Sequence, residues 1–468
     1  MTSSRPDFAK LLSGKPLDEL RVLAEGKTKV IREAEGCGSE RYVLVHNKDQ
    51  ITAHNAKRKN DMEGKGQLSN LTNCRVFRFL QSIGLKTHFV TQLNETDFVA
   101  ERCAMIPLEW VTRRLATGSY LKANPGVTEG HRFSPPLLGI HYKDDALDDP
   151  LWSREQVLEA KLVTSGIAIG ASQLELMSRV SVLVFEVLER LWAELGVALV
   201  DMKVEFGINP DGDIVLADVI DNDSWRLWPG GEKGRMVDKQ LYRDMDVVTA
   251  EKLRELKRSF EWVQNTTKNF VDRAVNGRVV ILMGSGADED HAAKIQDCLV
   301  SKFAIPTELR VTSAHKNPLG TLAVIDQVQA DGVPVVFIAV AGLSNGLGPV
   351  SSGYTAYPVI NCPPVDSKNA AAASLDLWSS LRLPSGVGCT TVLGTSNAAW
   401  AAATMLGLGN VSVWGRVKVQ QLVNYTNIVK ADRHLEGVNR KAKDKLDLYA
   451  SEALPSEETP MEMTNGKA

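Results

Sequence analysis

The spacing of hydrophobic residues changes its period near the middle of the chain. Over residues 172–195 apolar side chains recur every three or four positions, which predicts a helix with one buried face. Ser172 and Glu175 form a capping-box pattern at its start. Two β-rich runs follow, at 198–207 and 214–220, and the polar residues between them predict a hairpin. The mixed periods indicate an α+β region.

The second half of the chain has a different rhythm. A charged helical pattern over residues 253–276 ends at Asn276-Gly277, which we interpret as a helix stop. Four short apolar runs then alternate with helical stretches, at 278–283, 308–312, 334–340 and 357–360. This alternation is typical of βαβ units around a parallel sheet.

These patterns divide the chain into four predicted segments. They are an α+β domain over residues 1–265, a linker over 266–277, an α/β domain over 278–435 and a polar tail over 441–468. We expect the α/β domain to form a three-layer parallel sheet that is Rossmann-like or flavodoxin-like. We expect the tail to be disordered because charged and small polar residues dominate it.

The composition favours a globular cytoplasmic protein over one that binds a polymer. Of the 468 residues, 44% are hydrophobic and 24% are charged, which is enough to bury a sizeable core. The formal net charge is −3 and the basic residues are dispersed, so we expect no nucleic-acid partner. The 6 cysteines lack metal-ligand spacing, and no apolar run is long enough for a membrane helix. We therefore expect free thiols, no membrane attachment and a cytoplasmic location.

A glycine turn near the N-terminus carries two lysines. Gly26, Lys27 and Lys29 lie between an apolar run and Val30-Ile31. A turn of this kind between strands can place an ammonium group over ATP phosphates. The same pattern is common in solvated surface turns, so its meaning depends on other signals.

Charged residues of the predicted hairpin share one face of the sheet. Asp201, Lys203 and Glu205 alternate with apolar residues. A two-residue turn at 211–212 would set Glu205 directly opposite Asp218, and facing carboxylates repel each other in a plain sheet. A Mg²⁺ ion that bridges ATP phosphates would remove this repulsion. The alternative is a solvated sheet face with a lysine between its acids.

Arginines in two further segments suggest phosphate binding. Arg113 and Arg114 precede a Gly-Ser turn that ends at Ser119, and Arg226 lies among acidic and aromatic residues at a strand exit. A guanidinium group can bind a phosphate through two parallel hydrogen bonds. A basic helix end would be the plainer explanation.

The N-terminal half resembles the SAICAR synthetase family, which joins aspartate to carboxyaminoimidazole ribonucleotide (CAIR) at the expense of ATP. The shared motifs are GKTKVI, DQITAHNA, EWVTRRLATGSY, KDDALDDP, LVDMKVEFG and LADVIDNDSWRLW. One departure is His54, where relatives often have glycine. The resemblance implies ATP contacts at Gly26, Lys27 and Lys29, Mg²⁺ ligands at Glu205 and Asp218, CAIR contacts at Arg113, Ser119 and Arg226, further substrate contacts at Asp145, Asp223, Lys239 and Arg243, and a catalytic role for Lys203.

Three predicted strands of the second half end in loops suited to ligand binding. The first leads into a glycine loop at 284–288, followed by a helix near Asp290, where free backbone N–H groups attract phosphate. The second ends at His315, and the third at a glycine-rich loop over 341–349. Carboxyl ends of parallel strands are where open α/β folds bind ligands. His315 is therefore a candidate proton carrier, although an isolated loop histidine is more often only solvated.

This half resembles the class II aminoimidazole ribonucleotide (AIR) carboxylases, the form that is fused to the synthetase in animals. The three strand ends, TAYPVINCPP and LWSSLRLPSGVGC carry the likeness. It implies that AIR takes up CO₂ without biotin or ATP, and that the protein is a homo-octamer built around the carboxylase domains. The implied residues are His315 and Asp288 for catalysis, and Ser285, Ser313, Lys316, Ser344 and Asn345 for substrate binding.

Three positions depart from the carboxylase pattern. Ala287 replaces a serine, Leu343 an arginine and Tyr354 an asparagine. Loss of a hydroxyl, a cation and an amide near one pocket could weaken the handling of CO₂ or nucleotide. One alternative is therefore an active synthetase that carries a non-catalytic ligand-binding or oligomerising module. A Rossmann dehydrogenase is a weaker alternative, since GSGAD is not G-x-G-x-x-G.

Overall fold

A computed structural model describes residues 8–435 except 13–15, 35, 37, 39, 54–56, 272 and 366–369. The predicted tail at 441–468 and the departure at His54 lie outside the described residues. Among the helices that are described, none combines the length and the apolarity that crossing a membrane requires.

The N-terminal half is built from antiparallel strands and a few helices. Its strands are β1 (Val22–Glu25), β2 (Lys29–Glu33), β3 (Tyr42–Asn47), β4 (Gln50–Ala53), β5 (Arg58–Asp61), β6 (Phe89–Gln92), β7 (Asp97–Glu101), β8 (Ala104–Leu115), β9 (Arg132–Tyr142), β10 (Leu151–Trp152), β11 (Val163–Thr164), β12 (Ile167–Ala168), β13 (Val197–Ile208), β14 (Ile214–Ala217) and β15 (Trp225–Pro229). Its helices are α1 (Phe8–Leu11), α2 (Lys65–Ser82), α3 (Ser119–Ala123), α4 (Arg154–Glu159), α5 (Ala171–Glu194), α6 (Gln240–Arg243) and α7 (Ala250–Thr266).

Two sheets organise this half and place β13 at the centre of the larger one. The smaller sheet has the order β1-β2-β3-β7-β6, and the larger has β10-β9-β8-β13-β14, with β15 also paired to β13. Helix α5 packs on β13 through an apolar face in which Val184, Leu188 and Leu191 are fully buried. Each such side chain stabilises the fold by about 1.5–3 kcal/mol. The predicted α+β class is confirmed.

The second half is a parallel α/β structure, as predicted. Its strands are β16 (Arg278–Met283), β17 (Thr307–Val311), β18 (Val335–Val340), β19 (Val359–Asn361) and β20 (Thr390–Thr391), in the spatial order β17-β16-β18-β19-β20. Its helices are α8 (Glu289–Phe303), α9 (Pro318–Gln329), α10 (Leu347–Tyr354), α11 (Ala370–Leu381), α12 (Thr395–Gly407) and α13 (Val411–Leu435). Alternate residues of β16 enter cores on opposite faces of the sheet, which makes three layers.

Two details of the predicted helices are wrong. Helix α5 begins after Gly170, which has no side chain to cap the helix, and Ser172 lies inside the first turn. Glu175 instead pairs with Arg179 at 2.7 Å. The helical pattern expected to reach residue 276 ends at Thr266, where a short 3₁₀ turn takes over.

The last helix of the second half also packs on the first half. Val413 and Val417 of α13 belong to the core of the parallel sheet, whereas Val419 and Leu422 belong to the core around α5. At this contact the guanidinium of Arg190 stacks 4.0 Å from the Trp414 ring centroid. The linker at 266–277 stays a prediction, and the two cores share a helix beyond it.

Candidate active sites

The carboxylate directly opposite Glu205 is Glu109 of β8, not Asp218. The predicted register was wrong by one residue, because Glu205 pairs with Ala217 in the β13–β14 hairpin. The hairpin loop is longer than expected, since Ile208 and Ile214 are its last paired residues. The Asn209 side chain fixes this loop by accepting hydrogen bonds from the amides of residues 211 and 213, at 3.1 and 2.8 Å.

Asp218 reaches the same place by a different route. Strand β14 ends at Ala217, and Asp218 then adopts a left-handed backbone with φ of 57°. Asp tolerates this region better than most residues. The turn brings its Oδ1 to 3.2 Å from Lys29 Nζ and its Oδ2 to 3.7 Å from Lys203 Nζ. The two predicted metal ligands, Glu205 inside β13 and Asp218 just after β14, therefore meet at Lys203 rather than as cross-strand partners.

Six side chains form a cluster of alternating charge on the central strand and its neighbours. We call it the carboxylate–lysine cluster, and its members are Lys29, Glu109, Lys143, Lys203, Glu205 and Asp218. Lys203 is at its centre: its Nζ lies 3.0 Å from Glu109 Oε1 and also binds Glu205. Lys143 Nζ holds the other oxygen of Glu205 at 2.7 Å. Lys143 and Glu109 were not predicted as site residues, although each is the first residue of a motif that was recognised, KDDALDDP and EWVTRRLATGSY respectively.

The cluster keeps its lysines charged despite burial. Burial by itself would lower the pKa of Lys203, but Glu205, Asp218 and Glu109 outweigh it and raise that pKa well above its ordinary value. For Asp218 burial opposes ionisation, yet Lys29, Lys203 and Lys143 together hold the pKa below its usual range. Burial raises the pKa of Glu205, which is 1% exposed. When all six side chains are ionised, three ammonium groups balance three carboxylates.

The predicted glycine turn lies at the edge of this cluster. The Gly26 amide donates to the Lys29 carbonyl at 2.9 Å, which closes the turn between β1 and β2. Lys29 points to Asp218, whereas Lys27 points outward to Asp145 at 2.8 Å. The turn thus divides its two lysines between the cluster and a more exposed ion pair.

Two predicted substrate-binding arginines meet on one carboxylate. Arg113 and Arg226 both bind Asp201 Oδ2, and Arg113 Nη2 lies 3.4 Å from Ser119 Oγ. A Cβ at Gly118 would lie 2.8 Å from Arg226 Nη2, so glycine is needed for this close approach. Burial lowers the pKa of Arg113, with Arg226 adding to the effect. Two guanidinium groups that share one carboxylate leave a positive surplus, which suits an anionic substrate.

A second group of cations surrounds Asp223. Lys65 Nζ lies 2.9 Å from Asp223 Oδ2, and Lys239 Nζ lies 3.4 Å from Oδ1. Although burial opposes it, Lys239 and Lys65 hold the pKa of Asp223 below its usual range. Arg243 stands beside them and donates to Gln240 Oε1 at 3.3 Å, an oxygen that Arg226 also uses.

Lys65 is the residue of this group that sequence reasoning missed. It begins helix α2, where the helix dipole disfavours a cation, and it is only 2% exposed. A lysine in the first turn of a helix, within the run Gly64-Lys65-Gly66, is a signal that could have indicated a buried acidic partner.

The three loops predicted in the parallel half lie side by side. The loops follow β16, β17 and β18, which are adjacent in the sheet. A Cβ at Gly346 would lie 2.5 Å from His315 Nε2, so the exposed histidine rests against the third loop. Ser313 Oγ accepts from the Lys316 amide at 3.3 Å, and Ser285 Oγ accepts from the Ala287 amide at 3.2 Å. Each hydroxyl therefore forms a hydrogen bond within its own loop.

Asn345 and two of the three departures, Leu343 and Tyr354, occupy different surroundings. Asn345 is buried, and its side chain donates to Ser380 Oγ at 3.0 Å and accepts from the Gly348 amide at 3.0 Å. Its predicted substrate contact stays a prediction. Ser344 and Leu343 lie exposed in the same loop, with Leu343 75% exposed. Tyr354 donates to Asp326 Oδ2 at 2.8 Å on α9.

The acidic side chains can be tested against a metal ion. Within the described ranges, no three His, Cys, Asp or Glu side chains are grouped so that they could hold one. Glu205 and Asp218 both contact Lys203, so hard carboxylate oxygens lie near each other. This set fits an ion such as Mg²⁺, which takes one or two protein carboxylates and fills its other positions with phosphate oxygens and water.

Comparison with known proteins covers both halves of the chain. A family model described as SAICAR synthetase matches residues 22–259, and one described as AIR carboxylase matches residues 278–426. "Multifunctional protein ADE2" of Gallus gallus is 50% identical over 434 residues, 92% of this chain and 98% of that protein. The Drosophila melanogaster "Bifunctional phosphoribosylaminoimidazole carboxylase/phosphoribosylaminoimidazole succinocarboxamide synthetase" is 51% identical over 419 residues, 89% and 96% of the two chains. A solved phosphoribosylaminoimidazole-succinocarboxamide synthase from Ehrlichia chaffeensis is 29% identical, with a TM-score of 0.47 over 54% of this chain and 100% of its own.

Proposed function

This chain belongs to the family of bifunctional proteins that join AIR carboxylase to SAICAR synthetase, and from that premise we propose how its two sites divide the work. The enzyme acts in purine biosynthesis: it carboxylates AIR to CAIR and ligates CAIR with aspartate to give SAICAR. The parallel half performs the first reaction, and the half built on β13 performs the second.

The assignment of the CAIR pocket rests on the pair of arginines that bind one carboxylate. Arg113 and Arg226 share Asp201, and Lys239 and Arg243 stand close by with one further carboxylate. CAIR brings a phosphate and a carboxylate, and aspartate brings two carboxylates. These anions balance the surplus cations, and Ser119 adds a hydroxyl beside Arg113. We assign this surface to CAIR and aspartate.

ATP lies, in this proposal, over the glycine turn and the carboxylate–lysine cluster. A carboxylate is a poor electrophile, so ATP phosphorylates the CAIR carboxylate and the aspartate amine then displaces phosphate. Lys27 and Lys29 hold the nucleotide phosphates, and Lys203 stabilises charge that develops on the transferred phosphoryl group. Positioning and cation electrostatics supply most of the catalysis.

Glu205 and Asp218 are the proposed holders of Mg²⁺. The ion, when bound, neutralises charge on the ATP phosphates. In the structure these carboxylates form ion pairs with Lys203 and Lys143. Both lysines have flexible side chains, so their ammonium groups can bind the ATP phosphates instead when Mg²⁺ takes their place at the carboxylates. The balanced charge of the cluster supports this exchange, because the metal and the nucleotide enter with opposite charges.

His315 is the proposed proton carrier of the carboxylation. The ring carbon of AIR is enamine-like and already nucleophilic, so it attacks CO₂ without biotin or ATP. The carbon then loses a proton, which His315 accepts, and in the reverse reaction the imidazolium returns it. The adjacent loops provide Asp288 and Ser285 for the ribose and phosphate, and Ser313 for the phosphate. The exposed position of His315 against the loop that follows β18 supports this role.

The assembly and location of the enzyme also remain proposals. We infer a homo-octamer built around the carboxylase halves and a cytoplasmic location, with small molecules as its partners. Exposed apolar side chains on α11, such as Leu375 and Trp378, support an interface on that half.

One assay tests both activities in the intact protein. The enzyme receives AIR, bicarbonate, ATP, Mg²⁺ and aspartate, and the succinyl product is measured, with a parallel reaction started from CAIR as the control. We expect product from both starting materials. Conversion of CAIR alone would favour a synthetase that carries a non-catalytic module, the alternative that the departures at Ala287, Leu343 and Tyr354 motivate.

A further inference from the structure

His291 links the start of helix α8 to a cysteine that follows the distant strand β19. It is the third residue of α8, one turn after Asp288, the residue that immediately precedes the helix. Its Nε2 lies 3.4 Å from Sγ of Cys362, which follows β19. Strand β18 separates β16 from β19, so the contact spans the width of one strand. Neither His291 nor Cys362 has a role in the mechanism above.

The hydrogen-bond direction in this network follows from a backbone carbonyl. Cys362 Sγ lies 3.7 Å from the carbonyl oxygen of Gly394, and a carbonyl can only accept. Burial raises the pKa of the Cys362 thiol to about 12, so the thiol keeps its proton and donates it to Gly394. The sulfur is then the acceptor for Nε2–H of His291. An imidazole that donates through Nε2 carries a lone pair on Nδ1 when it is neutral.

The Nδ1 atom is left as an acceptor near the glycine loop. Burial lowers the pKa of His291, with Asp288 opposing the shift, so the neutral form is favoured. The ring is half-buried, and within the described residues its Nδ1 has no hydrogen-bond partner. The Asp288 carboxylate does not cap the helix that it precedes. The Asp288 carboxylate has a backbone hydrogen bond with Ser285, and a carboxylate can accept several more. Two acceptors with capacity for further donors therefore stand one turn apart at one helix start.

We propose that His291 Nδ1 and the Asp288 carboxylate together accept hydrogen bonds from the two vicinal hydroxyls of the ribose of AIR and CAIR. Residues at the cap and third positions of a helix face each other, as in a capping box. A pair of adjacent acceptors matches a pair of adjacent donors, which a ribose presents and a dideoxyribose lacks. His291 is thus a specificity-determining residue for ribonucleotides, and Cys362 is a positioning residue that fixes its tautomer. The inference rests on the proposed placement of the nucleotide ribose at Asp288.

The test measures decarboxylation of CAIR by the intact enzyme without ATP, so that only the carboxylase turns over. The substrates are CAIR and its 2′,3′-dideoxyribose analogue. His291→Phe keeps a planar ring but removes the acceptor, and we expect it to raise the KM for CAIR about tenfold while leaving the KM for the analogue unchanged. The kcat for CAIR should change less than twofold, since His315 is intact.

Two variants of Cys362 separate positioning from packing. Cys362→Ser keeps a donor and an acceptor and should retain the wild-type preference for CAIR over the analogue. Cys362→Ala removes the acceptor that keeps the proton of His291 on Nε2, so this variant should lose part of that preference. Equal losses for both substrates in His291→Phe, or no loss for either, would overturn the inference.

A separate variant distinguishes the inference from the proposed function on which it rests. If Asp288→Asn leaves the KM for CAIR unchanged, the ribose does not lie at Asp288, and the placement of the nucleotide fails together with the inference. If Asp288→Asn raises the KM but His291→Phe does not, the placement stands and only the role of His291 is refuted.

Discussion

Asp201 is the side chain whose loss should damage the synthetase half most clearly. It is 3% exposed and accepts hydrogen bonds from the Nη1 atoms of both Arg113 and Arg226. The substitution Asp201→Asn keeps the shape but removes the negative charge. Two largely buried guanidinium groups would then face each other without a counter-charge.

The expected loss can be estimated from the burial of the pair. Breaking a buried ion pair by removing one partner costs about 3–5 kcal/mol, because the remaining charge is left uncompensated. For a unit of about 150–250 residues, each kcal/mol lowers Tm by about 2–4 °C, so we expect a fall of about 6–20 °C. CAIR should recover part of this loss, since its anionic groups restore a negative partner for the arginines.

The assay is thermal unfolding of the intact protein. The Tm that is compared belongs to the unfolding transition that added CAIR raises. Asp211→Asn is the matched control, because it removes the charge of an Arg–Asp pair, with Arg41, at an exposed position. Surface pairs contribute about 0–1 kcal/mol, so the control should shift Tm by no more than about 4 °C. A fall in Asp201→Asn no larger than that of the control would refute the reasoning.

Three further outcomes are expected. Glu205→Gln and Asp218→Asn should each abolish aspartate ligation and leave CAIR decarboxylation intact, and ligation at the wild-type rate would contradict their assignment to Mg²⁺. His315→Asn should slow decarboxylation about 10²–10⁴-fold with little change in nucleotide affinity, measured by steady-state kinetics and titration, and a wild-type rate would show that it carries no proton. Burial lowers the pKa of His88 to about 4, so this side chain is neutral in the folded protein at neutral pH. Its protonation in the unfolded state therefore lowers the free energy of unfolding as the pH falls from about 6.5 towards 4, by up to about 3 kcal/mol. His88→Phe should remove this acid sensitivity in urea unfolding at a series of pH values, and an unchanged pH dependence would exclude His88 as its source.

The sequence alone was sufficient for the elements whose signals are local. The apolar spacing of α5 and the short run of β16 each predict their element within a few residues, because a helix face or a buried strand is specified by side chains close in the chain. The alternation of strands and helices likewise predicted the parallel sheet, and with it three ligand-binding loops at its carboxyl edge. That His315 rests against Gly346 came from the structure. Motif resemblance added the family, which the comparisons confirmed.

Only the tertiary structure decided which charges meet. Asn209 lengthens the β13–β14 loop, so Glu205 pairs with Ala217 instead of Asp218. Glu109 faces Glu205 from β8 on the other side of β13, and Asp218 joins the cluster through a left-handed turn. Lys65 meets Asp223 across 158 positions of sequence, and His291 meets Cys362 across 71. A hydrophobic period fixes which face of an element is buried, but not its register or rotation against a partner far along the chain. Register and long-range contacts are set by the packing of the whole core, because only there do the side chains of distant segments compete for the same space.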